Sequence, residues 1–300
     1  MSTFILLTIT GFALAAMYFL IASGLSLIYG LMGVLNFAHG LFLTVGAYGT
    51  WWMEIHLTRI GNVTLRYTVS ALIGLAIGAL FATLVELLLI RPLYRRHIEQ
   101  VLVTVGLSLA GVALVQAIWG QDPRPFVTPQ WMGHTTKILG AKIANDKFLE
   151  ITAAVIALVL LELFLRRTRY GLIVRAGVEN RAMVTALGID VRRAFTLVFA
   201  IGGLAAALGG ALSNVYFGSV FPERGTSLLI FAFIVVVIGG LGSITGSALA
   251  ALVVGLTQQY ANYYAAQDLH LGGSIGDITV VLLLGAILLV RPQGLSGSFA

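Results

Sequence analysis

Long apolar runs without charged residues are the feature that most constrains how this chain folds. The runs Ala71–Val85 and Ile278–Val290 contain no charged side chain and do not alternate between apolar and polar positions. A strand of a membrane barrel alternates along about ten residues. A helix, in contrast, pairs its own backbone groups and crosses hydrocarbon in about 20 apolar residues. The runs therefore predict an all-α membrane protein.

The amount of apolar sequence predicts several crossings. Of the 300 residues, 59% are hydrophobic and 10% are charged, whereas a soluble domain carries about 25% charged residues. We expect a polytopic chain with about nine membrane segments, some of them hairpins or broken helices. These segments lie near residues 4–28, 33–53, 66–90, 99–120, 148–165, 194–216, 227–239, 244–264 and 275–290.

Basic residues predict the orientation of the chain, because Lys and Arg gather in cytoplasmic loops. Eleven of the 18 basic residues fall on one side of the predicted spans, and seven of these eleven lie between residues 166 and 193. We expect that side to be cytoplasmic, with a periplasmic N-terminus and a cytoplasmic C-terminus in a bacterial inner membrane. The net charge of +6 then reflects the basic residues that flank the spans and set their orientation, and nucleic acid is not an expected partner.

Several kinds of chemistry are excluded or not expected. The chain has no cysteine, which excludes disulfides and thiol catalysis. Ser26 and Ser108 have no Gly-x-Ser-x-Gly motif, so a serine nucleophile is not expected. No second histidine or carboxylate stands at ligand spacing from His39, so no metal site is expected. The chain also lacks a Gly-x4-Gly-Lys-Ser/Thr motif, so any ATP hydrolysis belongs to another chain.

The segment Leu35–Gly40 puts polar residues inside an otherwise apolar stretch. Asn36 and His39 are costly in hydrocarbon unless they face a bundle interior or a pathway. Two interpretations stay open. Either Asn36 caps a broken helix and His39 bonds to a neighbouring helix, or both residues contact the pathway of a transported solute.

A second break is predicted at Gly239–Gly246, which interrupts another long apolar stretch with a hairpin or a discontinuous helix. The small residues here and earlier in the segment 200–255 permit close helix packing or a flexible gate. Asn214 and Tyr216, at the outer end of the predicted span 194–216, are candidates to face a solute entrance.

Glu86 is the strongest candidate for a functional acid within the spans, about one helical turn from the end of its segment. We expect an ion pair with a nearby arginine such as Arg91. A proton-coupling role, as in secondary transporters, is the alternative.

The segment between Arg166 and Arg193 predicts a short cytoplasmic helix parallel to the membrane. Val178–Leu187 contains no Gly or Pro, and Gly188 follows at the usual position of a helix C-terminus. Glu179 near the start of this helix also matches the sign of the helix dipole.

Short motifs occur in a recognisable order along nearly the whole chain. They are Asn-Phe-Ala-His-Gly at 36–40, Gly-Ala-Tyr at 46–48, Arg-Pro-Leu at 91–93, Thr-Val-Gly-Leu-Ser-Leu at 104–109, Thr-Arg-Tyr-Gly at 168–171, Ala-Leu-Gly-Ile at 186–189, Gly-Gly-Leu-Gly-Ser-Ile at 239–244 and Arg-Pro-Gln-Gly-Leu at 291–295. In this order they resemble the permeases of branched-chain amino-acid ABC importers, the Liv type.

The resemblance implies a single transmembrane permease domain over residues 1–300 with the ABC importer permease fold. It also implies an assembly with a second homologous permease, two cytosolic ATPases that use ATP and Mg, a periplasmic substrate-binding protein and membrane lipid. This chain itself would hold no cofactor and catalyse no reaction. The expected solute is a branched-chain or other hydrophobic amino acid. Urea or short amides and aromatic acids are alternatives for the same importer type, and an ion-coupled secondary transporter is the alternative from another class.

The resemblance also assigns a role to the predicted cytoplasmic helix. The cytoplasmic helix becomes a coupling helix that docks on an ATPase, although Ala182 stands where other ABC importers often carry Glu. We expect alternating access, in which ATP binding moves this helix. That motion would rock the helices that carry Asn36–Gly40 and Gly239–Gly246, so that the pathway opens first on one side of the membrane and then on the other. The candidate residues are Asn36, His39, Ser108, Asn214 and Tyr216 for the translocation pathway, Gly40, Gly239, Gly240 and Gly242 for the gate or broken helices, and Arg175, Glu179, Asn180, Arg181, Ala186 and Gly188 for ATPase coupling.

Overall fold

A computed structural model provides the structure of the chain and describes residues 1–33, 35–94, 96–188, 191–268 and 275–296. Side chains are described throughout these ranges except at residues 31, 32, 178–182, 185 and 268. The helices are α1 (Ser2–Met32), α2 (His39–His56), α3 (Val63–Val85), α4 (His97–Trp119), α5 (Gln130–Gly133), α6 (Asn145–Arg167), α7 (Arg169–Ala186), α8 (Val191–Phe217), α9 (Arg224–Gly239), α10 (Ile244–Asp268) and α11 (Ile275–Val290).

The predicted all-α membrane class is confirmed, and the predicted number of crossings is not. Within the described ranges, five helices are long and apolar enough to cross a membrane, or six if α9 and α10 form one bent span. α11 has 16 residues, which is about 24 Å of helix against a hydrocarbon core of about 30 Å. α9 also has 16 residues, so α9 and α11 are each too short to count as a separate crossing by length alone.

α1 lies at the centre of the bundle. It packs against α10, α8, α9 and α6, and Leu20 and Ile21 near its middle are fully buried. α2, α3 and α8 form a neighbouring group in which small residues bring the backbones together: Gly78 and Gly46 both face Ala207. Close approach at small residues is the usual way for helices to associate in lipid.

The outer helices carry the exposed apolar surface. Leu102 on α4, Leu160 on α6 and Leu282 on α11 are each at least 60% exposed. A soluble protein rarely leaves so much contiguous apolar surface uncovered. These helix faces therefore fit contact with lipid.

The loop between α4 and α6 is structured, as its Pro- and Gly-rich sequence suggests. It contains β1 (Arg124–Pro125), α5, and the antiparallel hairpin of β2 (Thr135–Ile138) and β3 (Ala141–Ala144). β1 pairs with β4 (Ser219–Val220), just before α9. The loop is thus tied to the end of α8 and the start of α9.

The helical backbone does not stop at Val85, the last residue of α3. It continues as a π-helical turn, Glu86–Ile90, and a 3-10 turn, Arg91–Leu93. Pro92 has no backbone N–H and its ring crowds the carbonyl four residues earlier, so a regular α-helix cannot continue through it. Glu86 therefore sits at the start of an irregular turn, a kind of feature that is often found at functional sites.

The helix predicted between Arg166 and Arg193 is longer than the sequence indicated. α7 begins at Arg169 rather than Val178 and ends at Ala186. The hydroxyl of Thr168 accepts a hydrogen bond from the N–H of Gly171 at 2.9 Å, which caps the start of the helix. Gly171 also fits closely against the backbone at the end of α6. The absence of a side chain at Gly171 permits this packing.

Candidate functional site

The break between α1 and α2 lies beside a cavity of about 260 Å³. Residues of α1, α4, α9 and the linker before α2 line it, and it is open on one side. The lining residues are Leu25, Leu35, Asn36, Phe37, Val105, Ser108, Leu109, Thr226, Leu229, Ile230 and Phe233. The wall is mainly aliphatic and aromatic, and Asn36, Ser108 and Thr226 supply polar side chains.

Asn36 both caps α2 and faces this cavity. Its Oδ1 accepts a hydrogen bond from the N–H of Ala38 at 3.0 Å, and its carbonyl accepts one from the N–H of His39 at 3.1 Å. This turn satisfies two backbone donors at the start of the helix. The sequence left two interpretations of Asn36 open, a helix cap and a contact with the solute pathway. The position of Asn36 allows both at once.

His39 is fully buried and lies against α1. Its Nε2 is 3.0 Å from the carbonyl oxygen of Ile21, and its ring packs edge-on against Phe42 at 5.6 Å between centroids. This contact is the interhelical bond that was one of the two interpretations of the motif. It holds the start of α2 against α1.

Asn214 and Tyr216 are separate from the cavity lining and lie near the C-terminal end of α8. The Asn214 side-chain amide donates to the carbonyl of Ala47 at 2.9 Å and so joins α8 to α2. The ammonium of Lys147 lies 3.7 Å from the centre of the Tyr216 ring. Of the five predicted pathway residues, the cavity brings together only Asn36 and Ser108.

Sequence reasoning missed most of the lining. Leu229, Ile230 and Phe233 on α9 face the cavity, yet their composition is the same as that of a lipid-facing stripe. Thr226 was the one available signal, since a threonine near the start of an apolar helix is a candidate polar contact.

The second break joins α9 and α10 at an angle of 117°. Gly240 and Gly242 have φ values of +96° and +86°, which L side chains rarely adopt. A Cβ on Gly239 would lie 2.5 Å from the backbone nitrogen of Ser247. At the first break, a Cβ on Gly40 would lie 2.6 Å from the carbonyl oxygen of Gly225. Both breaks therefore bring backbone against backbone.

The C-terminal segment packs against the second break. The sequence predicted the break but not this contact. The N–H of Leu295 donates to the carbonyl of Ile238 at 2.7 Å, and the N–H of Ser296 donates to that of Gly239 at 3.1 Å. These bonds satisfy carbonyl groups at the end of α9 that lack partners within the helix.

Glu86 lies in a polar cluster at the end of the span. Its carboxylate accepts hydrogen bonds from the hydroxyl of Tyr94 and, at 2.8 Å, from that of Thr196. The Arg91 Nε is 3.5 Å from the same carboxylate, as the predicted ion pair requires. Burial and the bond to this carboxylate both raise the pKa of Tyr94, so its phenol stays protonated and donates.

The predicted coupling residues fall on α7 and the turn that follows it. Arg175, Ala186 and Gly188 are exposed, and Gly188 has a φ of +77°. The side chains of Glu179, Asn180 and Arg181 lie outside the described part of the chain. Among the described residues, no three His, Cys, Asp or Glu side chains form a cluster that could hold a metal ion.

Comparison with known proteins extends over nearly the whole chain. Residues 7–291 match the family described as branched-chain amino acid transport system / permease component. The chain is 28% identical to the high-affinity branched-chain amino acid transport system permease protein LivH of Salmonella typhimurium, over 96% of this chain and 93% of that protein. BraD of Pseudomonas aeruginosa, described in the same words, is 27% identical over 96% and 94%. The fructose import permease protein FruF of Bifidobacterium longum is 28% identical over 82% and 67%. No solved structure matches the chain.

The family and the three relatives are all described as permeases. This description fits the multi-span architecture and assigns the chain a translocating role rather than an enzymatic one. The chain therefore belongs to the family of permease components of branched-chain amino acid transport systems, the ABC importer family that its motifs resemble.

Proposed function

We propose that this permease carries amino acids with branched aliphatic side chains through the cavity between α1, α4 and α9, driven by ATP hydrolysis in partner subunits. The chemistry of the cavity is the observation that carries this proposal. Its wall is apolar except for Asn36, Ser108 and Thr226. An aliphatic side chain gains about 0.8 kcal/mol for each buried CH2 group, and a few polar groups suffice to orient an amino acid backbone.

The same chemistry disfavours the competing solutes. Urea and short amides are polar throughout, and so is the fructose named for the relative FruF. Each would leave hydrogen-bonding groups against an apolar wall, which is costly. An aromatic acid is the closest competitor, because its ring is apolar and fits the same wall.

The two breaks are the proposed moving parts. The linker that carries Asn36 and helix α9 both line the cavity, and each adjoins a break. A change in backbone angle at Gly40, or at Gly239, Gly240 and Gly242, would therefore move one wall of the cavity. Alternating access requires two such arrangements whose populations ATP can shift.

α7 is the proposed coupling helix. Its exposed residues Arg175 and Ala186, with Gly188 beyond its end, would dock on a cytosolic ATPase, and Glu179, Asn180 and Arg181 would join them. The complete importer would contain this chain as one transmembrane domain over residues 1–300, a second homologous permease, two ATPases that bind ATP and Mg, and a periplasmic binding protein. The chain itself would need no cofactor.

Charge and packing support one orientation of the chain in the membrane. We infer a bacterial inner membrane protein with a periplasmic N-terminus and a cytoplasmic C-terminus. Gly140, in the turn between β2 and β3, lies against Ser2, so the N-terminus is on the side of the loop between α4 and α6. The arginine-rich segment around α7 would then face the cytoplasm.

Co-purification tests the importer assignment. The chain is expressed with its neighbouring genes and purified from membranes, and ATPase activity and leucine uptake are measured in proteoliposomes. We expect a cytosolic ATPase to co-purify, its activity to rise with the loaded binding protein, and unlabelled valine to compete with leucine. A chain that purifies alone and moves solute without ATP would instead be a secondary transporter, and Glu86 would be its first candidate for ion coupling.

A charge reversal on α7 tests the coupling helix. Arg175→Glu should release the ATPase from the complex, because Arg175 is exposed on the proposed docking helix. Arg59→Glu is the matched control: Arg59 is also exposed, but it lies in the short connection between α2 and α3. If the same amount of ATPase co-purifies with both variants, α7 is not part of the docking surface.

A further inference from the structure

A second, much smaller cavity of about 10 Å³ lies next to the first one, and Asn36 and Leu35 line both. The rest of its wall comes from α1, the π-helical turn, α4 and α8. The remaining lining residues are Ile28, Ile90, Gln100, Thr104 and Phe199.

Two polar atoms at this small cavity need a partner. Within the described part of the chain, neither Nδ2 of Asn36 nor Oε1 of Gln100 has a hydrogen-bond partner. Asn36 is 4% exposed and Gln100 is 2% exposed, so bulk water does not satisfy these atoms. Buried polar groups in folded proteins are almost always bonded to protein or to an ordered water molecule.

The orientation of both amides is fixed by their other atoms. Oδ1 of Asn36 accepts from the N–H of Ala38 at 3.0 Å, which leaves its NH2 group as the unpaired end. Nε2 of Gln100 donates to the carbonyl of Leu93 at 2.6 Å, which leaves its oxygen as the unpaired end. One donor and one acceptor therefore meet at the same cavity.

This pairing selects the ligand. A cation would be repelled by the Asn36 NH2 group, and an anion would be repelled by the Gln100 oxygen. A water molecule can accept from the first and donate to the second. Thr104 also lines the wall, and its hydroxyl donates to the carbonyl of Val101 at 3.0 Å and accepts from the N–H of Phe37 at 3.4 Å. A cavity of about 10 Å³ is close to the smallest that holds one water molecule, and such a molecule needs two to four polar partners.

We propose that Asn36 and Gln100 bind one buried water molecule, which joins the linker before α2 to the first turn of α4. Gln100 bonds onward to Leu93, which is in the same 3-10 turn as Arg91. The water thus connects the wall of the larger cavity with the turn beside the Glu86 cluster. A movement of Asn36 at the first break must either carry this water with it or break its bonds.

Hydroxyl-radical labelling with synchrotron X-rays tests the water site in the wild-type complex. Radicals form from bound water and modify the side chains next to it, even where bulk water cannot reach. Phe199 lines the small cavity, whereas Phe195, one turn away on the same helix, does not; both are almost fully buried. We expect Phe199 to be labelled several-fold faster than Phe195. Equal labelling of the two rings would overturn the proposal.

A double-mutant cycle tests whether the two amides share that water. Gln100→Met and Asn36→Ser each remove one partner, and serine can still cap α2. We expect the melting temperature of the double variant to fall by less than the sum of the two single decreases. The reason is that, once one amide has been replaced, replacing the other no longer leaves a polar group without its partner. Gln116→Met combined with Asn36→Ser is the control, since Gln116 lies further along α4 and bonds to Glu223. Strictly additive losses in both pairs would sink the shared site.

The water site does not depend on which solute the protein carries. A complex that fails to transport leucine but labels at Phe199 and shows the coupling between residues 36 and 100 would refute the proposed solute and leave the water site standing. A complex that transports leucine but shows neither the labelling nor the coupling would refute the water site and leave the proposed solute standing.

Discussion

Thr196 on α8 donates its hydroxyl to the carboxylate of Glu86 at 2.8 Å. The same hydroxyl is 3.3 Å from a guanidinium nitrogen of Arg91. The acid is therefore held from two elements, α8 and the turn that contains Arg91. A carboxylate with this many protein partners is suited to hold helices together.

Glu86→Gln tests this assignment. The amide keeps the shape of the side chain but loses the charge that Arg91 faces, so we expect a loss of about 1–3 kcal/mol in the free energy of unfolding. ATP-driven leucine uptake per assembled complex should stay close to the wild-type value. Thermal unfolding and uptake in proteoliposomes measure the two quantities.

Glu162→Gln is the matched control for that variant. Glu162 pairs with Arg166 at 2.6 Å on the surface of α6, where such a pair contributes about 0.3–0.5 kcal/mol. If Glu86→Gln abolishes uptake while stability and assembly stay unchanged, the anchor role is wrong and an ion-coupling role takes its place.

Gly40→Ala probes the first break. The new Cβ would lie 2.6 Å from the carbonyl oxygen of Gly225, so α2 and α9 must separate, at a cost of about 1–3 kcal/mol. Uptake should fall together with the melting temperature. Gly106→Ala is the control, because a Cβ at Gly106 on α4 meets no atom within 4 Å among the described residues. Similar behaviour of the two alanine variants would contradict the close packing at this break.

The helix breaks could be predicted from sequence because their causes are local. Asn36 is a residue that caps helices, and the glycines at 240 and 242 adopt positive φ values that other residues avoid. Each signal is contained within a few neighbouring residues. The resemblance to the family rests on the same segments, and so it could be recognised before the fold was known.

The cavity lining could not be predicted, because it depends on tertiary packing. Leu229 lines the cavity and is buried, whereas Leu282 is exposed, yet both are leucines in apolar helices. Asn214 looked like a pathway residue for the same reason that Asn36 did, since both are polar groups in an apolar segment. Only the positions of neighbouring helices show that Asn214 bonds to α2 and that Asn36 faces the cavity.

Val105→Trp tests the cavity as the solute site. Val105 lines the cavity, and a tryptophan there would fill much of the space that an aliphatic solute needs. We expect leucine uptake to fall about tenfold, equivalent to about 1.4 kcal/mol of lost solute binding, while basal ATPase activity and assembly are kept. Val281→Trp, on the exposed face of α11, should leave uptake unchanged. Uptake that survives in Val105→Trp would exclude this cavity from the pathway.

Asn214→Ala separates helix bonding from solute contact. The substitution removes the hydrogen bond to the Ala47 carbonyl, so we expect a loss of about 0.5–1.5 kcal/mol in the free energy of unfolding. Ser213→Ala is the control, because its hydroxyl bonds only within its own helix turn, to the carbonyl of Gly210, and should cost less. Because Asn214 bonds to α2 away from the cavity lining, the ratio of leucine to valine uptake should be the same as in the wild type. A changed ratio with normal stability would mean that the solute passes Asn214, and the pathway would then have to extend from the cavity along the interface of α2 and α8.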